Sequence, residues 1–86
     1  MVEETSLEAF EKVRLDLGER QLEVYFGLKK LVYATNSMIA RELHLPINSI
    51  TPRIYELRKA GLVIYSHTSW CPITKFKAKY WKIKCA

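Results

Sequence analysis

Acidic residues disappear from the last part of this chain: after Gly61 there is neither Asp nor Glu, while Lys75, Lys77, Lys79, Lys82 and Lys84 follow. Glycine and proline are scarce, three each in 86 residues. Two cysteines are too few for the disulfide framework of a small secreted domain. Cys71 and Cys85 therefore read as reduced, intracellular thiols, with a single bridge between them as the alternative. Apolar runs such as Leu62 to Tyr65 are far too short to span a bilayer, so no membrane role is expected. The opening Met1-Val2-Glu3-Glu4 is acidic, unlike the cationic start of a secretory leader, and a cytoplasmic protein is expected. There is no glycine-rich phosphate loop, no Cys-x-x-Cys and no His-x-x-x-His. His67, Cys71 and Cys85 form at most a partial zinc set, and neither histidine lies near a nucleophile motif. The expectation is a protein with no metal, cofactor or catalytic residues, and not an enzyme.

What is present suits one compact domain covering residues 1–86. Hydrophobic residues make up 49% of the chain and charged ones 27%, which excludes disorder. Surface scaling at this mass leaves roughly 64% of the unfolded surface buried, enough for one modest core. The net charge of +5 is unevenly spread. Residues 1–40 hold five Lys or Arg against seven acids, a net of −2, whereas residues 41–86 hold nine against Glu42 and Glu56, a net of +7. A solubilising surface normally mixes signs, so this asymmetry reads as the footprint of a polyanion.

Thr5-Ser6-Leu7-Glu8 forms a capping box, and Leu7, Phe10, Val13 and Leu17 then recur at helical spacing, predicting a helix over 5–17 closed by Gly18 in the left-handed region. A second helix runs from Glu19 to about Val32, apolar enough to be the central one. A third follows Thr35 as N-cap and buries Ile39, Ala40 and Leu43. After the turn His44–Asn48 a fourth carries Ile50, Ile54 and Leu57 inward and stops at Gly61. Leu62 to Tyr65 and Lys77 to Lys84 are β-prone, separated by a long loop, His67 to Phe76. The fold class is α+β and mainly helical: four helices, with a helix-turn-helix over 35–60, then a two-stranded β-wing over 62–84.

Thr35 to Leu43, then Ile50-Thr51-Pro52-Arg53-Ile54-Tyr55-Glu56-Leu57, then Gly61-Leu62-Val63, resemble the winged helix-turn-helix superfamily of DNA-binding proteins. The pattern is similar to MarR-like regulators and small phage-encoded winged-helix proteins, and covers about Leu22 to Ile83. The resemblance implies double-stranded DNA as partner, the helix Asn48 to Ala60 in the major groove, and the hairpin on phosphates or the minor groove. It also implies transcriptional regulation in a phage, virus or mobile element. Three features depart from the family: His44 stands where glycine is usual, Pro52 where small or polar residues are usual, and the wing lacks glycine altogether.

At 100° per residue Asn48, Pro52, Tyr55 and Lys59 face outward, flanked by Thr51, Arg53 and Arg58. Arg53 can read guanine, Asn48 adenine, and Thr51 and Ser49 a base or phosphate. Set against this, Asn48 and Thr51 are both good N-caps, Tyr55 can cover the core edge, and Thr51-Pro52 suggests a regular helix beginning only at Thr51. Arg53 has little structural purpose so early in a helix and is the favoured contact. On the wing, Lys75, Lys77 and Lys79 share one strand face as phosphate ligands, with a solvated edge strand as the bland alternative. Trp70 and Phe76 are expected to pack the loop onto itself or the core, with base stacking as the alternative. The apolar stripe of helix 5–17 suits either a homodimer or packing across the core. The competing function is an interaction module that docks an acidic protein within a replication or transcription complex. A weaker one is a sensor built on Cys71.

Overall fold

The structure, a computed structural model, describes residues 17–84. The helix expected over 5–17, with its dimer stripe, lies outside the described residues, as does Cys85. The described chain runs α1 (Glu19–Leu31), β1 (Tyr33–Ala34), α2 (Asn36–Leu43), α3 (Ile47–Lys59), β2 (Val63–Trp70) and β3 (Lys77–Ile83). This is α+β in a winged-helix arrangement, with three described helices and a three-stranded antiparallel sheet in the order β1-β3-β2. The two-stranded wing expected from the sequence thus gains a strand. Tyr33–Ala34 is too short to show any period-2 pattern, and only its pairing with Lys82 and Trp81 makes it one.

The core is built around α1. Val24 and Leu28 are fully buried, and Ile39, Ile50, Ile54, Leu57, Val63 and Trp81 close around them from four other elements. Gly27 allows α2 to come close: a Cβ there would lie 3.1 Å from the Leu43 side chain. Gly18 corrects an expectation. It is not a left-handed helix stop but the extended N-cap of α1, and its N–H donates to Oε1 of Gln21 at 2.9 Å.

The helix-turn-helix forms as capping chemistry dictates. Thr35 Oγ1 accepts the N–H of Met38 at 3.2 Å. His44 takes the left-handed conformation (φ 57°) that glycine usually occupies, and the N–H groups of His44 and Leu45 close α2 onto Arg41 and Ala40. Gly61 (φ +79°) closes α3 in the same way, with Gly61 and Leu62 N–H donated to Arg58 and Leu57. The start of α3 differs from expectation. It begins at Ile47 after Pro46, so Pro52 is inside the helix and Asn48 is not its cap. Pro52 cannot donate to Asn48 O, but Asn48 is exposed and water can serve that carbonyl. The Thr51 hydroxyl is likewise no cap; it donates to Ile47 O.

The first four residues of the expected loop, His67–Trp70, are strand. β2 continues to Trp70, with a β-bulge between Tyr65 and His67 where the register against β3 shifts by one. This stretch leaves the core, both its faces meet solvent, and the alternation that marks a strand is lost. The six residues Cys71–Phe76 turn the hairpin. Lys75 takes the left-handed position (φ 65°) and donates its N–H to Cys71 O at 2.8 Å. Cys71 is fully buried, its Sγ 3.2 Å from Thr35 Oγ1, so the wing tip is pinned to the first residues of the helix-turn-helix. Burial pushes the Cys71 thiol up, yet hydrogen bonds from the Thr35 hydroxyl and from the Thr74 and Ile73 N–H groups outweigh it and bring it to about 7.

Val32, the residue that ends α1, is held at φ 74°, ψ −62° while its side chain is 65% exposed. A β-branched residue there is strained by about 1–3 kcal/mol and gains little burial in return. Val32→Gly is therefore expected to raise the melting temperature by several degrees, whereas Gly61→Ala, which puts a Cβ on a left-handed residue, lowers it. Thermal unfolding followed by circular dichroism checks both signs.

Candidate nucleic-acid interface

Two surfaces meet at Trp81. This residue sits on the central strand with its indole 6% exposed, paired across to Ala34 and Tyr65, and it packs into the helical core. The guanidinium of Arg58, in the last turn of α3, lies 4.5 Å from its ring centroid. The C-terminal turn of α3 therefore abuts the root of the hairpin. Between them an open groove of about 360 Å³ is lined by Tyr55, Arg58, Lys59, Val63, Ile64 and Tyr65.

On α3 the outward face is as expected: Asn48, Pro52, Tyr55 and Lys59 are exposed, with Thr51 and Arg58 exposed on the side nearer the sheet. Tyr55 is 58% exposed, and the Lys59 ammonium stands 5.8 Å over its ring, so it does not cover the core edge. Ser49 is half-buried. Thr51 Oγ1 also accepts Nδ2 of Asn36 at 3.4 Å, which ties α2 to α3 and reduces what this hydroxyl can offer a ligand. Asn36 was not anticipated, because an Asn one residue after an N-cap carries no signal of its own.

Arg53 is placed differently. It is turned away from the free face and held bidentately by Glu56, at 2.8 and 2.9 Å, and Gln21 Nε2 donates to the same carboxylate at 2.6 Å. The cation that had no evident structural purpose thus has one: it holds the Glu56 carboxylate, which in turn accepts from Gln21 and so joins α3 to the first turn of α1. The hydrogen bonds from Arg53, then from Gln21, hold the Glu56 carboxyl below the usual carboxylate range.

On the hairpin, register assigns the faces. Lys77 stands opposite Trp70 and Lys79 opposite Thr68, and both share the face of β3 that carries Trp81 and so adjoins Arg58. Lys82 projects from the other face with Tyr80, where His67 stacks on Tyr80 with ring centroids 4.6 Å apart. Lys75 belongs to the turn and not to the strand face proposed for it. Trp70 and Phe76, expected to pack inward, are exposed instead. Among the described residues, the ion pairs are Arg20–Glu23, Lys30–Glu42 and Arg53–Glu56, all within the helices. Arg58, Lys59, Lys77 and Lys79 have no acid partner among the described residues, and Lys79 and Lys77 follow Trp81, which carries Arg58, along one face of β3. The pairing of the Glu56 carboxylate has a pH signature. Its stabilisation is full above the ordinary value of 4.5 and is lost as pH falls through the depressed folded-state value. Glu56→Gln should therefore melt below the parent protein at neutral pH, and the gap should close on acidification.

No family model matches this chain, and no curated protein does. Among solved structures it is similar to a possible transcriptional regulator from Methanosarcina mazei Go1, with a TM-score of 0.66 at 15% identity over 92% of this chain. The chain spans 66% of that structure's length. At this identity the likeness concerns the fold, which the two proteins share. No helix among the described residues is long and apolar enough to cross a membrane.

Proposed function

We propose that this protein binds double-stranded DNA and acts as a transcriptional regulator, by binding and not by catalysis. The observation that carries the reading is the acid-free surface shared by α3 and the wing, where Arg58, Lys59, Lys77 and Lys79 stand beside exposed Asn48, Thr51 and Tyr55. The exposed face of α3 enters the major groove, with Asn48 and Thr51 at base edges near its start and Arg58 and Lys59 on phosphates near its end. The wing lysines take the adjoining phosphates. Arg53 supports the helix and is not a principal contact. The resemblance to MarR-like and phage-type proteins favours a regulator of a phage, virus or mobile element, and the solved neighbour's description supports regulation in general.

Titrating a random-sequence duplex by fluorescence anisotropy, at low and at physiological salt, tests the reading. Micromolar binding is expected, weakening steeply with salt, with a log–log slope of about −0.9 per phosphate contact. Lys77→Glu with Lys79→Glu should flatten that slope by about 2. Arg53→Ala should change the affinity by no more than about threefold, and Arg58→Ala by more. No binding even at low salt would overturn the DNA reading in favour of a domain that docks an acidic protein.

A further inference from the structure

The end of the hairpin carries two large rings in water: Trp70 is 56% exposed and Phe76 73%. The framework beneath them is fixed. Cys71 N–H donates to Phe76 O at 2.9 Å, Lys75 N–H to Cys71 O, and the buried Cys71 thiol is anchored to Thr35. The Tyr80 hydroxyl donates to the Trp70 carbonyl. The backbone of Trp70 is thus held while its ring stands in solvent, so binding has only the side chain left to order. Around the rings stand cations. Lys77 is directly opposite Trp70, Lys79 is two residues along the same face, and Lys75 precedes Phe76. None of the three lysines forms an ion pair among the described residues.

Apolar rings bordered by unpaired ammonium groups match a ligand that has planar apolar faces and regularly spaced negative charge. Nucleobases on their phosphate backbone have both. A paired duplex presents only base edges, because the base faces are hidden in the stack. We propose that the hairpin end binds unpaired bases, with Trp70 and Phe76 stacking on the bases of a locally opened segment and Lys75, Lys77 and Lys79 holding its phosphates. This rests on the DNA reading above and narrows the substrate from any duplex to a duplex adjoining opened or single-stranded bases. An apolar protein surface fits less well, since it would strip water from three cations and return no charge to them.

Two DNAs of equal length test the inference, one fully paired and one with a short central unpaired segment, titrated with the full chain at physiological salt. The opened DNA should bind about tenfold tighter. Trp70→Ala should abolish that preference while changing the paired duplex by no more than about twofold, and Trp70→Tyr should retain most of it. Lys77→Gln should weaken both DNAs. Because Trp81 is buried, quenching of tryptophan emission on opened DNA should vanish in Trp70→Ala. Equal affinity of the parent protein for the two DNAs, or a Trp70→Ala loss of the same size on both, overturns the inference while leaving duplex binding intact. Failure to bind either DNA at low salt overturns the underlying reading as well.

Discussion

Trp81 is the joint between the helical and β parts of the molecule. It lies on the central strand, reaches into the core formed by α1 and α3, and carries the Arg58 guanidinium on its ring. Truncating a buried Trp costs about 3–5 kcal/mol, a large share of the 5–15 kcal/mol typical of a whole domain. The consequence reaches beyond stability. With Trp81 in place, β3 leaves the core in one direction, so Lys79 and Lys77 must follow it on the same face. A second tether at the far end, between Cys71 and Thr35, keeps the hairpin from swinging as a free arm.

Charge is sorted by the same framework. Glu23, Glu42 and Glu56 are each matched to a cation within the helices, and Glu19 also lies on α1. What remains toward the wing is positive only. Exposed pairs of this kind contribute little to stability, so their more important effect is on the outer field: they remove Arg53 and Lys30 from the set of free cations. Counting basic residues in the chain therefore overstates the unpaired positive charge, and the ion-pair partners show by which ones.

Much of the fold was legible because local chemistry and periodicity agree there. Thr35 as a cap, Gly61 as a stop, and Ile50, Ile54 and Leu57 as an inward face all follow from rules that act within a few residues. The failures share a different cause. The two-residue strand at Tyr33 exists only through its partner β3, and the Ser66–Trp70 part of β2 through the pairing that holds it away from the core. Gly18 begins a helix instead of ending one, and its sequence context suits either role. The candidate site was half legible. Angular spacing placed Asn48, Tyr55 and Lys59 on the free face. It could not show that Glu56, three residues from Arg53, would occupy that guanidinium, or that Gln21, on another helix, would donate to the same carboxylate. Nor could it show that Trp70 stays in water.

In the proposed function the outward face of α3 and one face of the hairpin serve DNA as a single surface, with α1 behind it. Backbone amide shifts of the isotopically labelled chain, followed during titration with a duplex, test this most directly. Changes are expected at Asn48, Thr51, Tyr55, Arg58 and Lys59 together with Thr68 to Lys79, with Glu19 to Glu23 unmoved. Changes centred on α1, or on α3 with the hairpin silent, would contradict it.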